Sequence, residues 1–285
     1  MRALLILAFA IAAQAQTWVD PDRSAPAGTE YHTFFSNTIG GQISYLIYLP
    51  PDHQTAAMKR YPVVYWLHGL GGNQRGGATF VAHLDAAIKT GKASPVIAVL
   101  VNGLRDSRYC DSFDGQRPVE TVIVKDLIPH VDMTYRTVAR GAVRAIEGLS
   151  MGGFGAAHLA FKFPELFGAV SIMAGALLDA DCAASSMHPD LYQKNFGSSR
   201  PYFQANSPWL LIEKNAAAIR GRTFIRIFVG DQDQLSEGNR NFHALLDHLH
   251  IESEFVLVPG LGHNQKLFYA TLGEEAFQFY GKAFA

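Results

Sequence analysis

Three short stretches of this chain set a reactive side chain among glycines. The first, Gly148-Leu149-Ser150-Met151-Gly152, has the G-x-S-x-G spacing of a serine held on a tight strand-to-helix turn. The second, Gly230-Asp231-Gln232-Asp233, holds two carboxylates, and the third, Pro259-Gly260-Leu261-Gly262-His263, ends in a histidine. A serine hydroxyl is a weak nucleophile until a histidine takes its proton, and that histidine needs an acid to fix its tautomer. Ser, Asp and His in this order can together carry acyl transfer through a covalent intermediate. Taken alone, the first stretch also reads as a glycine-rich turn with an ordinary serine. The other two stretches are what favour the chemical reading.

His263 is the candidate base, because it sits in a glycine-rich loop and on no apolar helical face. His243, His248 and His250 lie on or beside an amphipathic segment and read as surface or packing residues. His68, in His68-Gly69-Leu70-Gly71-Gly72, is the rival; its loop is better suited to an architectural role. Of the two carboxylates, Asp231 stands at the strand end, where it can cap the turn. Asp233 lies further out, where it can reach a histidine, and is favoured over Asp231; Glu237 comes third. A developing oxyanion needs two fixed N–H donors. The residue after the serine, Met151, supplies one, and Leu70 in the first glycine-rich loop is the candidate for the other.

These loops need a scaffold, and the apolar pattern supplies it. Glu30 to Asn37 and Gln42 to Leu49 read as a hairpin around Ile39-Gly40-Gly41. Tyr61 to Leu67, Val96 to Val101, Val143 to Leu149, Ala169 to Ala174, Thr223 to Val229 and Glu254 to Val258 are short apolar runs, the pattern of strands covered on both faces. Helical spacing falls between them, at Phe80 to Thr90, Val119 to Ile128 (with Pro129 near its end), Met151 to about Phe163 and Ser236 to Leu249, and again after His263. Alternating strands and helices predict an α/β protein with a mostly parallel central sheet flanked by helices. In such sheets ligands bind beyond the carboxyl ends of the strands, where all four loops emerge. Gly175 to Gly221 interrupts the alternation after the strand that follows the serine's helix. Carrying Tyr192, Phe196, Tyr202, Phe203 and Trp209, it reads as a substrate wall or as aromatic packing on the sheet.

The 285 residues, 17% charged with net charge -1, suit one large α/β domain and carry no basic block or acidic tail for nucleic acid or an anionic membrane. The balance favours a small or uncharged substrate. Met1-Arg2, the apolar run Ala3 to Ala13 and the small-residue site Ala13-Gln14-Ala15 predict a secretory signal peptide over 1–15, with a catalytic domain over 16–285 and export to the medium or periplasm. The run is too short for a membrane anchor, which needs about 20 apolar residues. Cys110 and Cys182 could form one disulfide or remain buried thiols. No metal-ligand cluster or cofactor motif is present, so none is expected.

His68-Gly69 with Gly71-Gly72, Asp126-Leu127-Ile128-Pro129 with Tyr135-Arg136-Thr137, Gly148-Leu149-Ser150-Met151-Gly152-Gly153, and Gly230-x-x-Asp233 with Gly262-His263 together resemble the esterase D/antigen 85 group of α/β-hydrolases. The resemblance runs from about Gln42 to the C-terminus. It implies the α/β-hydrolase fold, a Ser150–Asp233–His263 triad and oxyanion donors at Leu70 and Met151. It also implies carboxylesterase activity of the feruloyl or acetyl type on small or carbohydrate-linked esters. The same group contains acyltransferases, and a catalytically silent binding protein on this scaffold is the third reading. Gly71-Gly72-Asn73-Gln74 departs from the cysteine-containing segment of the formylglutathione branch.

Overall fold

The apolar runs assemble into one eight-stranded sheet with the order β1-β2-β4-β3-β5-β6-β7-β8, seen in a computed structural model that describes residues 17–178 and 189–285. The strands are β1 (Glu30–Ser36), β2 (Gly41–Tyr48), β3 (Val63–Leu67), β4 (Ile97–Val101), β5 (Arg144–Leu149), β6 (Ala169–Met173), β7 (Phe224–Gly230) and β8 (Ser253–Val258). β1 and β2 form an antiparallel hairpin whose second strand runs antiparallel to β4; every other neighbouring pair is parallel. The expected signal peptide over 1–15 and the residue Cys182 lie outside the described residues. Cys110 is a buried free thiol.

Successive residues of a strand point to opposite faces, and here both faces are covered. Val63, Tyr65 and Leu67 pack into one core with Ile146, Val170 and Ile172, beneath the helix Met151–Lys162 and the segment around Val119 to Val131. Val64 and Trp66 pack into the other, against the helix Ala78–Lys89 and the C-terminal helices Gln265–Leu272 and Gln278–Ala283. This two-sided burial is why the strands read as nearly unbroken apolar runs. No helix among the described residues is long and apolar enough to cross a membrane.

The helix expected over Val119 to Ile128 runs on to Thr134 in three pieces: Val119–Thr121, a π-helical stretch Val122–Leu127, and Ile128–Thr134. Pro129 sits in the first turn of the last piece. The wide turns before it have already broken the α-helical ladder, so its missing N–H ends nothing.

One polar cluster ties the C-terminal helices to the sheet. Glu147, fully buried on β5, accepts hydrogen bonds from Tyr269 Oη, from Tyr280 Oη at 2.7 Å and from Arg226 Nη2 at 3.1 Å. Removing one member of a buried, hydrogen-bonded ion pair leaves the other unpaired, at a cost of about 3–5 kcal/mol. Glu147→Ala is therefore expected to lower the thermal midpoint by about 10 °C, given about 2–4 °C per kcal/mol for a chain near this size. A midpoint within 2 °C of wild type in a thermal melt would count against this role.

Candidate active site

β5 runs straight into Ser150, whose backbone is held at φ 58° and ψ −113° before the helix Met151–Lys162 begins. A side chain at such a dihedral pair is strained. The turn is fixed from several directions: Ser150 N donates to Met173 O at 2.9 Å, and Ser150 O accepts from Phe154 N at 3.0 Å and Ala176 N at 2.9 Å. The flanking glycines are steric requirements. A Cβ on Gly148 would lie 2.2 Å from Gly152 O, and one on Gly152 would lie 2.2 Å from Leu67 O. Gly155 serves a different neighbour, since its Cβ would meet the Tyr109 ring at 2.4 Å rather than the sheet.

After β7, the two carboxylates diverge. Asp231 is exposed and accepts from Gly260 N at 2.7 Å, capping the turn that follows β8. Asp233 is buried; its Oδ1 accepts from Leu235 N at 2.9 Å and its Oδ2 lies 2.7 Å from His263 Nδ1. A hydrogen on Nδ1 donating to the carboxylate leaves Nε2 as the free acceptor of a neutral ring. His263 and Ser150 line one cavity of about 360 Å³, together with Gly69, Leu70, Arg108, Met151, Ala176 and Leu235. Ser150 Oγ makes no hydrogen bond to the ring here; such contacts commonly tighten only when substrate is bound.

Leu70 and Met151 meet at the same cavity from two sides. Met151 opens its helix, so its N–H has no partner within the helix and carries the positive end of the helix dipole. The N–H groups of Gly71 and Gly72 are spent on Arg105 O (2.7 Å) and Gly69 O (3.1 Å), whereas that of Leu70 has no partner among the described residues. His68 is walled in beneath this loop. Its Nδ1 donates to Gly69 O at 2.9 Å, and Tyr109 Oη donates to its carbonyl at 2.9 Å. Burial pushes the imidazole down to about 4, which keeps it neutral and matches an architectural role.

Of the described residues in 175–221, Ala176 lines the cavity. The aromatics go elsewhere: Phe196 and Phe203 are buried with Cys110, Phe154 and Leu235, with Tyr192 and Tyr202 against them, while Trp209 packs on Phe242. Rings of this size gain more by covering the end of the helix Met151–Lys162 than by lining an open cleft. Sequence reading passed over Arg108, which does line the cavity. Its one signal was position, on a loop leaving a central strand at its carboxyl end. Also unread was His158, fully buried on the helix Met151–Lys162, with Nε2 2.5 Å from Glu120 Oε2 and Nδ1 2.8 Å from Asn206 O. No group of three or more His, Cys, Asp or Glu that could hold a metal ion occurs among the described residues.

The two buried histidines give stability a pH dependence on both sides of the ordinary histidine pKa. Burial alone would lower His158, but the neighbouring Cys110 and Glu120 side chains outweigh it and push the imidazole up to about 10. An unfolded chain binds the His68 proton at about 6.5. As pH falls from 6.5 to 4, that uptake favours unfolding, and stability is lost. His158 keeps its proton in the fold to about pH 10, so stability is lost as pH rises from 6.5 to 10. The thermal midpoint should fall by about 5–10 °C toward each end. His68→Asn, which keeps a donor toward Gly69 O, should flatten the acid limb, and His158→Gln the alkaline one. Unaltered limbs in both variants would remove the histidines as the cause.

A family model for esterases ("Putative esterase") matches residues 36–280. Esterase Rv1288 of Mycobacterium tuberculosis is 34% identical over 148 residues, 51% of this chain and 32% of the relative. An endo-1,4-beta-xylanase/feruloyl esterase of Xylanibacter ruminicola is 32% identical over 153 residues, 50% of this chain and 21% of the relative. The matches thus span about a third of the first relative's length and about a fifth of the second's. A solved ferulic acid esterase superimposes with a TM-score of 0.78 at 23% identity, over 90% of this chain and 98% of its own. The ferulic acid esterase of Anaeromyces mucronatus gives 0.65 at 19% identity, over 94% and 97%. At these identities the structural likeness establishes the fold. The family match spans β2 to β8 and every loop of the cavity, and the chain belongs to this esterase family of the α/β-hydrolase fold.

Proposed function

We propose that the protein is a serine carboxylesterase, exported from the cell, that hydrolyses carboxylic esters through an acyl-enzyme on Ser150. The observation that carries this reading is the 2.7 Å Asp233–His263 hydrogen bond set beside a strained serine in a single cavity. Ser150 Oγ attacks the ester carbonyl while His263 Nε2 takes its proton, and the Oγ–C bond forms as the carbonyl oxygen becomes an oxyanion. The Leu70 and Met151 N–H groups stabilise that charge. Collapse of the adduct breaks the bond to the alcohol oxygen, which receives the proton from His263. Water then loses a proton to His263, attacks the acyl-enzyme and releases the acid, restoring Ser150. Asp233 holds the tautomer and balances the imidazolium in both halves.

The feruloyl esterases among the relatives support phenolic esters, free or linked to carbohydrate, as the substrates, with acetyl esters as the other members of the proposed class. A cavity of about 360 Å³ lies at the small end of the range for ligand sites. The test is turnover of acetyl, butyryl and feruloyl esters by the purified protein, with products separated in the presence and absence of an acceptor alcohol. Release of free acid with acceptor present supports hydrolysis. An acylated acceptor as the main product would replace it with acyl transfer, and no turnover of any ester would leave a binding protein.

A further inference from the structure

One charged group in this cavity is unaccounted for by the triad. Arg108 is 8% exposed, lines the cavity beside Ser150 and His263, and has its guanidinium carbon 5.3 Å from the centre of the Phe154 ring. No carboxylate and no other hydrogen-bond partner reaches its side chain among the described residues. The carboxylates near it in sequence are committed: Asp106 to Arg117 and Lys194, and Asp111 to Thr121. Asp233 spends both oxygens on Leu235 N and His263. Nor are its nitrogens sealed from solvent in the way that Arg144 Nε is, and the residue lines the cavity.

The backbone holds this arginine deliberately. Arg108 and Tyr109 are consecutive left-handed residues, at φ 55° and 60°, a conformation that costs non-glycine residues energy and collects at ligand sites. The loop is fixed by Ser107 Oγ, which accepts from Tyr109 N at 2.9 Å and donates to Gly103 O, and by the Tyr109–His68 hydrogen bond that ties it to the Leu70 loop. A buried, unpaired charge is expensive, and a planar fork of donors pairs best with a carboxylate.

We propose that Arg108 is a specificity residue that binds a carboxylate on the substrate, so that the preferred esters are those carrying one anionic group a few bonds from the scissile bond. The near-neutral balance of the whole chain suggested an uncharged substrate; the cavity's own charge is positive where the substrate sits. This inference rests on the esterase reading for its turnover and on Arg108 alone for its selectivity.

The experiment compares 4-nitrophenyl valerate with the 4-nitrophenyl half-ester of glutarate, which have equal carbon counts, and phenyl acetate with 4-carboxyphenyl acetate. These place the anion on the acyl and the alcohol side in turn. In wild type the anionic member of one pair should have the higher kcat/KM. In Arg108→Met the anionic-to-neutral ratio in that pair should fall by about 10²-fold, and Arg108→Lys should fall between the two. The methionine also fills the space against Phe154, and a thermal melt checks that the fold survives. Binding of the non-hydrolysable glutaric half-amide, followed by calorimetry, gives a readout independent of turnover. Ratios near one in both pairs, or ratios that Arg108→Met leaves unchanged, would overturn the inference while leaving the esterase intact. Arg108-dependent binding of the half-amide without turnover of any ester would keep the anion site and sink the esterase reading instead.

Discussion

Ser150→Ala is expected to reduce kcat on an activated aryl ester by about 10³- to 10⁶-fold, with the thermal midpoint within about 2 °C of wild type. The loss is large because, in the mechanism proposed, the covalent route ends with the hydroxyl, while the Leu70 and Met151 N–H groups can still polarise the carbonyl for slow attack by water. Stability changes little because Ser150 Oγ makes no hydrogen bond that folding depends on. A second variant separates chemistry from strain. Ser150→Gly is equally inactive, but removing the Cβ at φ 58° and ψ −113° should relieve about 1–3 kcal/mol. Its midpoint should therefore exceed that of Ser150→Ala by several degrees. Ser150→Ala retaining more than a tenth of wild-type turnover would place the nucleophile elsewhere. Equal midpoints for the two variants would mean that the turn stores no strain.

The turn at Ser150 was readable in sequence because its requirements are local. Gly148 and Gly152 are forced by backbone atoms within four residues of the serine or at the end of the neighbouring strand, so the spacing itself records the geometry. His263 and the two aspartates were legible for a related reason: each leaves a strand at its carboxyl end, and strand order in an α/β sheet is tightly constrained. What escaped depends on contacts between distant segments. Glu147 sits in an apolar strand and has meaning only beside Tyr269, Tyr280 and Arg226, which lie 79 to 133 residues away. Arg108 is one arginine in a polar loop, and its want of a carboxylate is visible only in space. Of the aromatics of 175–221, Tyr192, Phe196, Tyr202 and Phe203 cluster together while Trp209 packs on Phe242, and composition could not say that Phe196 and Phe203 turn inward onto Phe154. The extension of the 119–134 helix past Pro129 was hidden by the π-helical turns, which carry no sequence mark of their own.

Asp233→Asn is expected to lower kcat by about 10⁴-fold, while Asp231→Asn should stay within about threefold of wild type. Both changes remove one negative charge on the same loop, so their difference isolates the hydrogen bond rather than the field. At Asp233, the carboxylate oxygen 2.7 Å from His263 Nδ1 accepts its proton; an amide nitrogen in that place would donate instead. The ring then prefers the tautomer with its proton on Nε2, and it can no longer accept the proton of Ser150. The amide can also rotate to offer its oxygen to His263, but the nitrogen then faces the Leu235 N–H that Asp233 Oδ1 now satisfies, and a buried donor faces a donor. Either orientation loses an interaction, so stability should fall as well, by about 1–3 kcal/mol. Asp231 accepts only from Gly260 N at an exposed turn, and an asparagine oxygen can do the same. Steady-state kinetics of the two variants on one ester decides the assignment: comparable losses would show that net charge near the histidine matters more than its tautomer, and the larger loss at Asp231 would reverse it.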